Sequence, residues 1–391
     1  MTSPRPAAAR ETRPVLVHNG VLTGYSFGPE HPMGPDRVRL AIELAEHCDV
    51  LGRYDVVEPM AASDALLHLV HSPDYVRALQ DGREHLELGI GGDDNPVVPG
   101  LPEVASRIAA ATVTAADLVW SGRARRAVNV SGGLHHAMPS QAAGFCLLND
   151  AAVAIAWLLE QGAQRVAYLD LDAHHGDGVE RAFWDDPRVL TISVHETGLH
   201  LFPGTGFAHE IGGPDAYGTA ANVPLPPDAC DLQWLRAMNA VVPPLLGAFR
   251  PQILISQHGA DPHASDPLTH LQISMDAMAI AQRQVGAWAE RYAGGRWVAV
   301  GGGGYRRDAA ARAWTHLLAE VADCPLDPSL PTPTDWQERL RQAGSATMGD
   351  PEATISTSIL TADKIYPDEP DPALVATSRA VFPYWGLQPY H

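Results

Sequence analysis

Two apolar rhythms run through the chain. Short blocks rich in Val, Ile and Leu alternate with longer stretches whose apolar positions recur every three or four residues. The first rhythm predicts buried strands and the second amphipathic helices. Strands are expected at Val15–Val17, Val56–Met60, Ala127–Val130, Arg165–Leu169, Val189–His195, Gln252–Ser256 and Trp297–Val300. Helices are expected at Arg37–Cys48, from a Ser63 cap through Val70, from a Ser72 cap onward, and over Pro102–Trp120. Further helices are expected from an Asn149 or Asp150 cap to Gln161, and over Ile273–Tyr292 and Ala309–Val321. One more lies within Leu232–Phe249, where Pro243-Pro244 should break or kink it. Gly89–Gly100, centred on Asp93-Asp94-Asn95-Pro96, and the stretch from His195 to Asn222 read as loops.

Strands alternating with helices imply a single-domain α/β fold with a mostly parallel sheet and helices on both faces. The expected division is a disordered tail at 1–13, a catalytic domain at 14–322, and a Pro-rich, irregular extension at 323–391 packed on that domain. Ligands in such folds bind beyond the carboxyl ends of strands. The polar motifs fall there.

The densest motif is Tyr168-Leu-Asp-Leu-Asp-Ala-His-His-Gly-Asp-Gly178. Side chains alternate along a strand, so Asp170, Asp172 and His174 would face one way if the extended conformation persisted. Charges at a strand end are costly unless paired or bound to metal. Carboxylates and imidazole together suit a divalent ion such as zinc, which takes about three protein ligands at a catalytic site. A second strand end carries Ser131-Gly-Gly-Leu-His-His-Ala137, whose adjacent histidines could act as a general base and a second proton-transfer group. A third carries Gln257-His-Gly-Ala-Asp-Pro-His263, where Asp261 can complete a metal triad. The fourth, Gly301-Gly-Gly-Gly-Tyr305, lets backbone approach a ligand and offers a phenol to a developing oxyanion.

Composition narrows the partners. The net charge of −19 argues against nucleic acid or an anionic membrane and suits a basic substrate. The 46% hydrophobic content fills a sizeable core. Cys48, Cys146, Cys230 and Cys324 are scattered, which favours a reducing cytoplasm without disulfides. Met1–Pro14 lacks an apolar signal core, and no apolar run reaches the roughly 18 residues of a membrane helix.

Taken together, Asp-x-Asp-Ala-His-His-Gly-Asp-Gly, Gly-Phe-Cys-x-x-Asn-Asp, Leu-Phe-Pro-Gly-Thr-Gly, Gly-Ala-Asp-x-His-x-x-Asp-Pro-Leu and Gly-Gly-Gly-Gly-Tyr resemble the zinc-dependent histone deacetylase family over roughly His18 to Leu317. His195-Glu-Thr-Gly, Asp-Asn-Pro-Val-Val-Pro-Gly100 and Asp-Pro-Leu-Thr-His270 are most similar to its acetoin-utilization branch. The resemblance implies an arginase/deacetylase-like fold and hydrolysis of the acetyl amide of N6-acetyl-lysine in proteins. It implies zinc on Asp172, His174 and Asp261, with iron(II) as an alternative in the cell. It implies a catalytic pair, His135 and His136, oriented by Asp170 and Asp177, and Tyr305 as oxyanion donor. Phe145 and Phe202 would wall a narrow tunnel beside Gly144 and Gly303, and Asp94 would receive the substrate backbone at the rim. Arg37 would line an internal channel. Asp170, Asp172, His174, Ser193 and Val194 would hold a structural potassium ion.

Two positions depart from the family pattern: Leu134 stands where an aromatic is frequent, and His258 occupies a variable position. Other readings are a small-molecule amidohydrolase acting on acetylpolyamines and a silent acyl-lysine or metal-binding module. A ureohydrolase would want a second carboxylate where His263 stands. The expected partner is an acetylated protein or peptide, with the oligomeric state open between a monomer and a homodimer or larger assembly.

Overall fold

The computed structural model describes residues 13–34, 36–340, 343–353, 355 and 371–391. Its centre is one eight-stranded, wholly parallel sheet. In chain order the strands are β1 (Val15–Val17), β2 (Asp55–Val57), β3 (Arg126–Asn129), β4 (Val166–Asp170), β5 (Val189–Glu196), β6 (Ala220–Leu225), β7 (Ile253–Gln257) and β8 (Trp297–Val300). They lie side by side as β2-β1-β3-β8-β7-β4-β5-β6. The chain thus forms the single α/β domain that the alternation of rhythms predicts.

Alternation along the strands divides the interior in two. Ala167 and Leu169 of β4 join one core, and Val166 and Tyr168 join the other. The first core is covered by α1 (Asp36–His47), α7 (Asp231–Phe249), α8 (Met275–Tyr292) and α9 (Arg307–Val321). The second is covered by α3 (Pro73–Gln80), α4 (Leu101–Trp120) and α5 (Asp150–Glu160). Away from the edge strand β2, whose Asp55 and Val56 are exposed, both faces of the sheet are dry, which is why the other strands read as nearly unbroken apolar blocks. Asn149, rather than Asp150, caps α5 by accepting from the Ala152 N–H. A shorter helix, α2 (Asp64–Leu67), stands behind its Ser63 cap and stops before Val70.

Several elements differ from the sequence reading. β6 lies inside the stretch taken as loop and beyond it, because its apolar residues sit at one end of the sheet and form no long block. A short helix, α6 (Asp177–Ala182), follows the acidic motif. Residues 1–12 of the expected tail lie outside the described residues. Arg13, its last member, is ordered by bonds to the carbonyls of Gly52, Arg53 and Tyr54. The extension after Asp323 is not uniformly irregular. It contains α10 (Thr334–Arg339) and α11 (Pro372–Val381), while residues 354 and 356–370 lie outside the described set. Proline at the first turn of α11 starts the helix instead of breaking it. Helix α11 packs against β6, where the Thr377 hydroxyl donates to the Asn222 carbonyl at 2.5 Å. Among the described residues no helix is long and apolar enough to cross a membrane.

The two prolines of α7 do not break it: the helix runs continuously from Asp231 to Phe249. Pro244 has no N–H to give to the carbonyl four residues earlier, that of Ala240. The Tyr390 hydroxyl takes its place, donating to the Ala240 oxygen at 3.1 Å. The far end of the chain therefore repairs the helix. Replacing Tyr390 with Phe is expected to leave the ring packed on Phe382 and to cost about 1 kcal/mol in urea unfolding. A variant as stable as the parent would show that the carbonyl needs no donor from this residue.

Candidate active site

Four neighbouring strands, β3, β8, β7 and β4, end at one place, and each contributes side chains. Strand β4 delivers Asp170, but the extended conformation stops there. Asp170 Oδ1 accepts from the Asp172 N–H at 3.1 Å, and Asp172 Oδ1 from the His174 N–H at 3.0 Å. Each carboxylate bonds the backbone two residues on, so the chain curls after Asp170. The one-sided alignment of Asp170, Asp172 and His174 drawn from strand geometry is thereby corrected. Asp172 and His174 converge on one point, while Asp170 turns to His135.

The loop after β7 brings Asp261 to that point. His174 Nδ1 lies 3.1 Å from Asp172 Oδ1 and 3.0 Å from Asp261 Oδ2. Among the described residues these three form the one group of His, Cys, Asp or Glu side chains whose ligand atoms all lie within 4.8 Å of one another. All three are buried. The remaining lone pairs are met by Gln257 Nε2 and the Gly303 N–H on Asp172 (2.6 and 2.8 Å), and by the Ala173 N–H on Asp261 (2.9 Å). Two carboxylates this close in a dry interior call for positive charge, and the donor set fits a divalent cation. Without a cation, a proton must serve. Burial works against a charge on His174, but hydrogen bonds to Asp172 and Asp261 raise it to about 10. Burial and the charge of Asp172 push Asp261 up to about 8.

The glycine run after β8 is explained by contact. A Cβ on Gly303 would lie 2.0 Å from Asp261 Oδ2, so no side chain fits there. Gly144 is the same case on the other side, where a Cβ would meet His136 Cδ2 at 2.5 Å and Phe202 Cε1 at 2.8 Å.

The loop after β3 carries the paired histidines. His135 Nδ1 is 2.7 Å from Asp170 Oδ2, and His136 Nδ1 is 2.7 Å from Asp177 Oδ1. Their Nε2 atoms face each other at 3.1 Å, and His135 Nε2 is 3.9 Å from Asp172 Oδ1. Identical side chains are driven apart by their surroundings. Burial would lower His135, but the charges of Asp170 and Asp172 outweigh it and hold it at about 9. Burial and then the neighbouring His135 lower His136 to about 4. The surroundings thus favour a positively charged His135 beside a neutral His136.

The Tyr305 ring packs edge-on against Phe145, centroids 5.6 Å apart. Burial, with Asp261 nearby, keeps its hydroxyl protonated far above neutral pH. Phe202 sits edge-on over His136 at 4.9 Å and is 44% exposed. The two phenylalanines therefore flank the site on its Tyr305 and His136 sides. Asp94 is exposed beside Phe145 and His31, in a groove of about 460 Å³. Arg37 is buried, donates to the carbonyls of Gly302 (3.1 Å) and Gly304 (2.9 Å), and stacks on Trp314. Leu134, Ser131 and Gly302 line a pocket of about 20 Å³ next to it. Asp170 lies opposite Ser193 in the β4–β5 ladder, which brings Val194 close as well. A cleft of about 710 Å³ is lined by the Val97–Gly100 segment and contains none of the metal-ligand cluster.

His258 takes no part in the cluster: its Nε2 bonds Ser256 Oγ at 2.8 Å, and burial holds it neutral at about 3. Four supporting residues were missed from the sequence. Tyr168 donates to Asp170 at 2.7 Å, Gln257 to Asp172, and Asn149 Nδ2 to the carbonyls of His135 and Ala137 at 3.0 Å each. Asp266 accepts from the Tyr305 N–H at 2.7 Å. Strand periodicity could have found Tyr168, two residues before Asp170 on the same side. Gln257, a polar end to an apolar strand, carried a similar signal.

A parallel α/β domain whose strand ends bring together a buried carboxylate–imidazole cluster able to hold a metal ion and two carboxylate-backed histidines has the architecture of a hydrolase of the deacetylase class. Residues 31–321 match the family model for the histone deacetylase domain, and the chain belongs to the histone deacetylase family. Among curated relatives, the acetoin utilization protein AcuC of Bacillus subtilis (strain 168) is 40% identical over 330 residues, covering 82% of this chain and 85% of that protein. The AcuC protein of Staphylococcus aureus (strain MRSA252) is 34% identical over 342 residues, covering 85% and 88%. The crystal structure of an HDAC homolog from Aquifex aeolicus superposes with a TM-score of 0.78 at 29% identity, covering 90% of this chain and 98% of that one. A structure of an HDAC homolog complexed with SAHA gives 0.77 at 29% identity, covering 91% and 99%.

A cation entering the cluster must displace the proton that His174 Nδ1 shares with the two carboxylates. Titrating the metal-stripped protein with zinc at pH 7 in weak buffer is expected to release at least one proton per site. Apparent affinity should fall as pH is lowered. Binding without proton release would contradict the assignment of His174 Nδ1 as a ligand.

Proposed function

We propose that the protein hydrolyses the acetyl amide of N6-acetyl-lysine in proteins, using zinc held by Asp172, His174 and Asp261. The observation that supports this most is that a buried metal-ligand cluster and a pair of carboxylate-backed imidazoles meet at one place. Zinc takes this mixed set of ligands, as iron(II) can in the cell. When bound, it supplies a Lewis acid for the amide carbonyl and lowers the pKa of water toward ~7.

The chain's own residues do the rest. His136, held neutral, takes a proton from the attacking water, and Asp177 fixes its tautomer. Protonated His135 holds positive charge beside it, oriented by Asp170. As the C–N bond breaks, the pair passes a proton to the departing nitrogen, leaving acetate and lysine. The Tyr305 hydroxyl, kept protonated, donates to the developing oxyanion. Phe145 and Phe202 offer apolar walls to the lysine stem, with Gly144 and Gly303 leaving room, and Asp94 meets the substrate backbone at the rim. A neutral acetyl-lysine suits such walls better than a charged lysine, which favours product release. Arg37 and the pocket beside it serve the acetyl end. Backbone groups of Asp170, Asp172, His174, Ser193 and Val194 hold potassium as a structural ion. Four free cysteines and the charge of −19 agree with a cytoplasmic enzyme that acts on protein substrates and avoids nucleic acid and membranes.

The zinc-loaded protein is expected to turn over an acetyl-lysine peptide well above N-acetylputrescine; the reverse preference would reject the protein substrate. Tyr305→Phe should lower kcat by roughly 100-fold, about 3 kcal/mol, with little change in KM. Asp261→Ala should lose both the near-equimolar zinc and turnover, and full activity in that variant would reject the ligand set.

A further inference from the structure

Asp350 lies in the C-terminal extension, 29 residues past the end of the matched family domain at 321. Its carboxylate nevertheless reaches the loop that carries Asp261. Asp350 Oδ2 accepts from His263 Nε2 at 3.0 Å and from the Met275 N–H at 2.7 Å, while Oδ1 pairs with Arg312 Nη1 at 2.9 Å. Arg312 is 2% exposed and is held on its other side by Asp308 at 2.9 Å, both within α9. The extension is thus clamped to α9 and, through the same carboxylate, to His263.

From His263 the contacts run into the site. The His263 carbonyl accepts from the Asp266 N–H at 2.8 Å. Asp266 then accepts from the Leu268 N–H at 3.0 Å and from the Tyr305 N–H at 2.7 Å. Thr269 closes the loop by donating to the Asp261 carbonyl at 2.6 Å. One end of this chain of bonds is a segment outside the family domain. Its other ends are a ligand of the metal cluster and the backbone of the phenol donor.

We infer that Asp350 is a positioning residue: by bonding His263 it fixes the 261–269 loop and so sets Asp261 against the metal and, through Asp266, Tyr305 against the substrate. The charge on Asp350 has a specific use here. A carboxylate accepts three bonds at once, from an imidazole, a backbone N–H and a guanidinium, whereas an amide must turn a donor toward one of them. A displacement of about 1 Å at a reacting group can cost roughly 100-fold in rate. Partial loosening of this loop should therefore appear in kcat and in metal retention before it appears in KM.

The inference rests on the proposed function, its kinetic arm on the deacetylase reading and its metal arm on the Asp172–His174–Asp261 zinc site, and the two arms are measured separately because metal affinity is read without substrate. Asp350→Asn and His263→Phe, which keeps a ring but offers no donor, should each lower kcat about tenfold, with KM within about twofold, and raise the zinc dissociation constant in competition with a chromophoric chelator. The double variant should be little worse than either single one, because both remove one contact. Asp371→Asn, which breaks the Arg236–Asp371 ion pair of the same extension, serves as the control: it should lower Tm without changing kcat or zinc affinity. If Asp350→Asn does not fold, His263→Phe decides alone, since it leaves the Arg312–Asp350 clamp in place. Folded variants with lower Tm but parental kcat and zinc affinity would overturn the inference and leave Asp350 as a staple. A parent inactive on the acetyl-lysine peptide would fault the proposed function, while the zinc constants would still test the positioning role.

Discussion

Asp172 and Asp261 are two carboxylates with oxygens within hydrogen-bond reach of one imidazole nitrogen and no exposure to water. Burying one uncompensated ion costs several kcal/mol, and two of like sign cost more. The rest of the site can be understood as compensation for that arrangement. Gln257, the Gly303 N–H and the Ala173 N–H supply partial positive charge, and a bound cation would supply the remainder. The same demand explains why the backbone must come so close at Gly303.

The pairing of two histidines extends the same electrostatics. His135 faces Asp170 and Asp172 and is held protonated, whereas His136, next to that charge, is held neutral. In the proposed reaction this lets one residue type serve two proton roles, because the neighbours differ. Tyr168 and Asn149 hold this difference in place, one by bonding Asp170 and the other by gripping the backbone on either side of His136.

The C-terminal segments bond to the domain at many points, among them the Arg236–Asp371 ion pair and the Trp336 and Trp385 indoles on the Leu40 and Gly218 carbonyls. Helix α11 covers the last strand, Tyr390 repairs the helix interrupted by prolines, and Asp350 grips the loop beyond β7. Each is a hydrogen bond to a group that the domain alone leaves short of a partner or free to move. The extension thus works as part of the domain's bonding rather than as a tail laid over it.

Local pattern carries much of this protein. Seven of the eight strands and the long helices follow from apolar periodicity, because both faces of the sheet inside its β2 edge are dry and the inner strands must be largely apolar. The four polar strand ends were legible for the same reason: charge directly after a buried strand has few uses other than a site. What the chain could not state locally was direction. Asp170 parts from Asp172 because side-chain-to-backbone bonds curl the chain after β4, a choice that strand alternation does not contain. β6, α11 and the unbroken α7 depend on partners 150 residues or more away, as in Thr377 to Asn222 and Tyr390 to Ala240. Sequence by itself determined which residues are acidic, basic or apolar and where strands end. Tertiary structure decided which of those ends meet, because convergence is set by strand order in the sheet, and strand order is fixed by packing between distant segments.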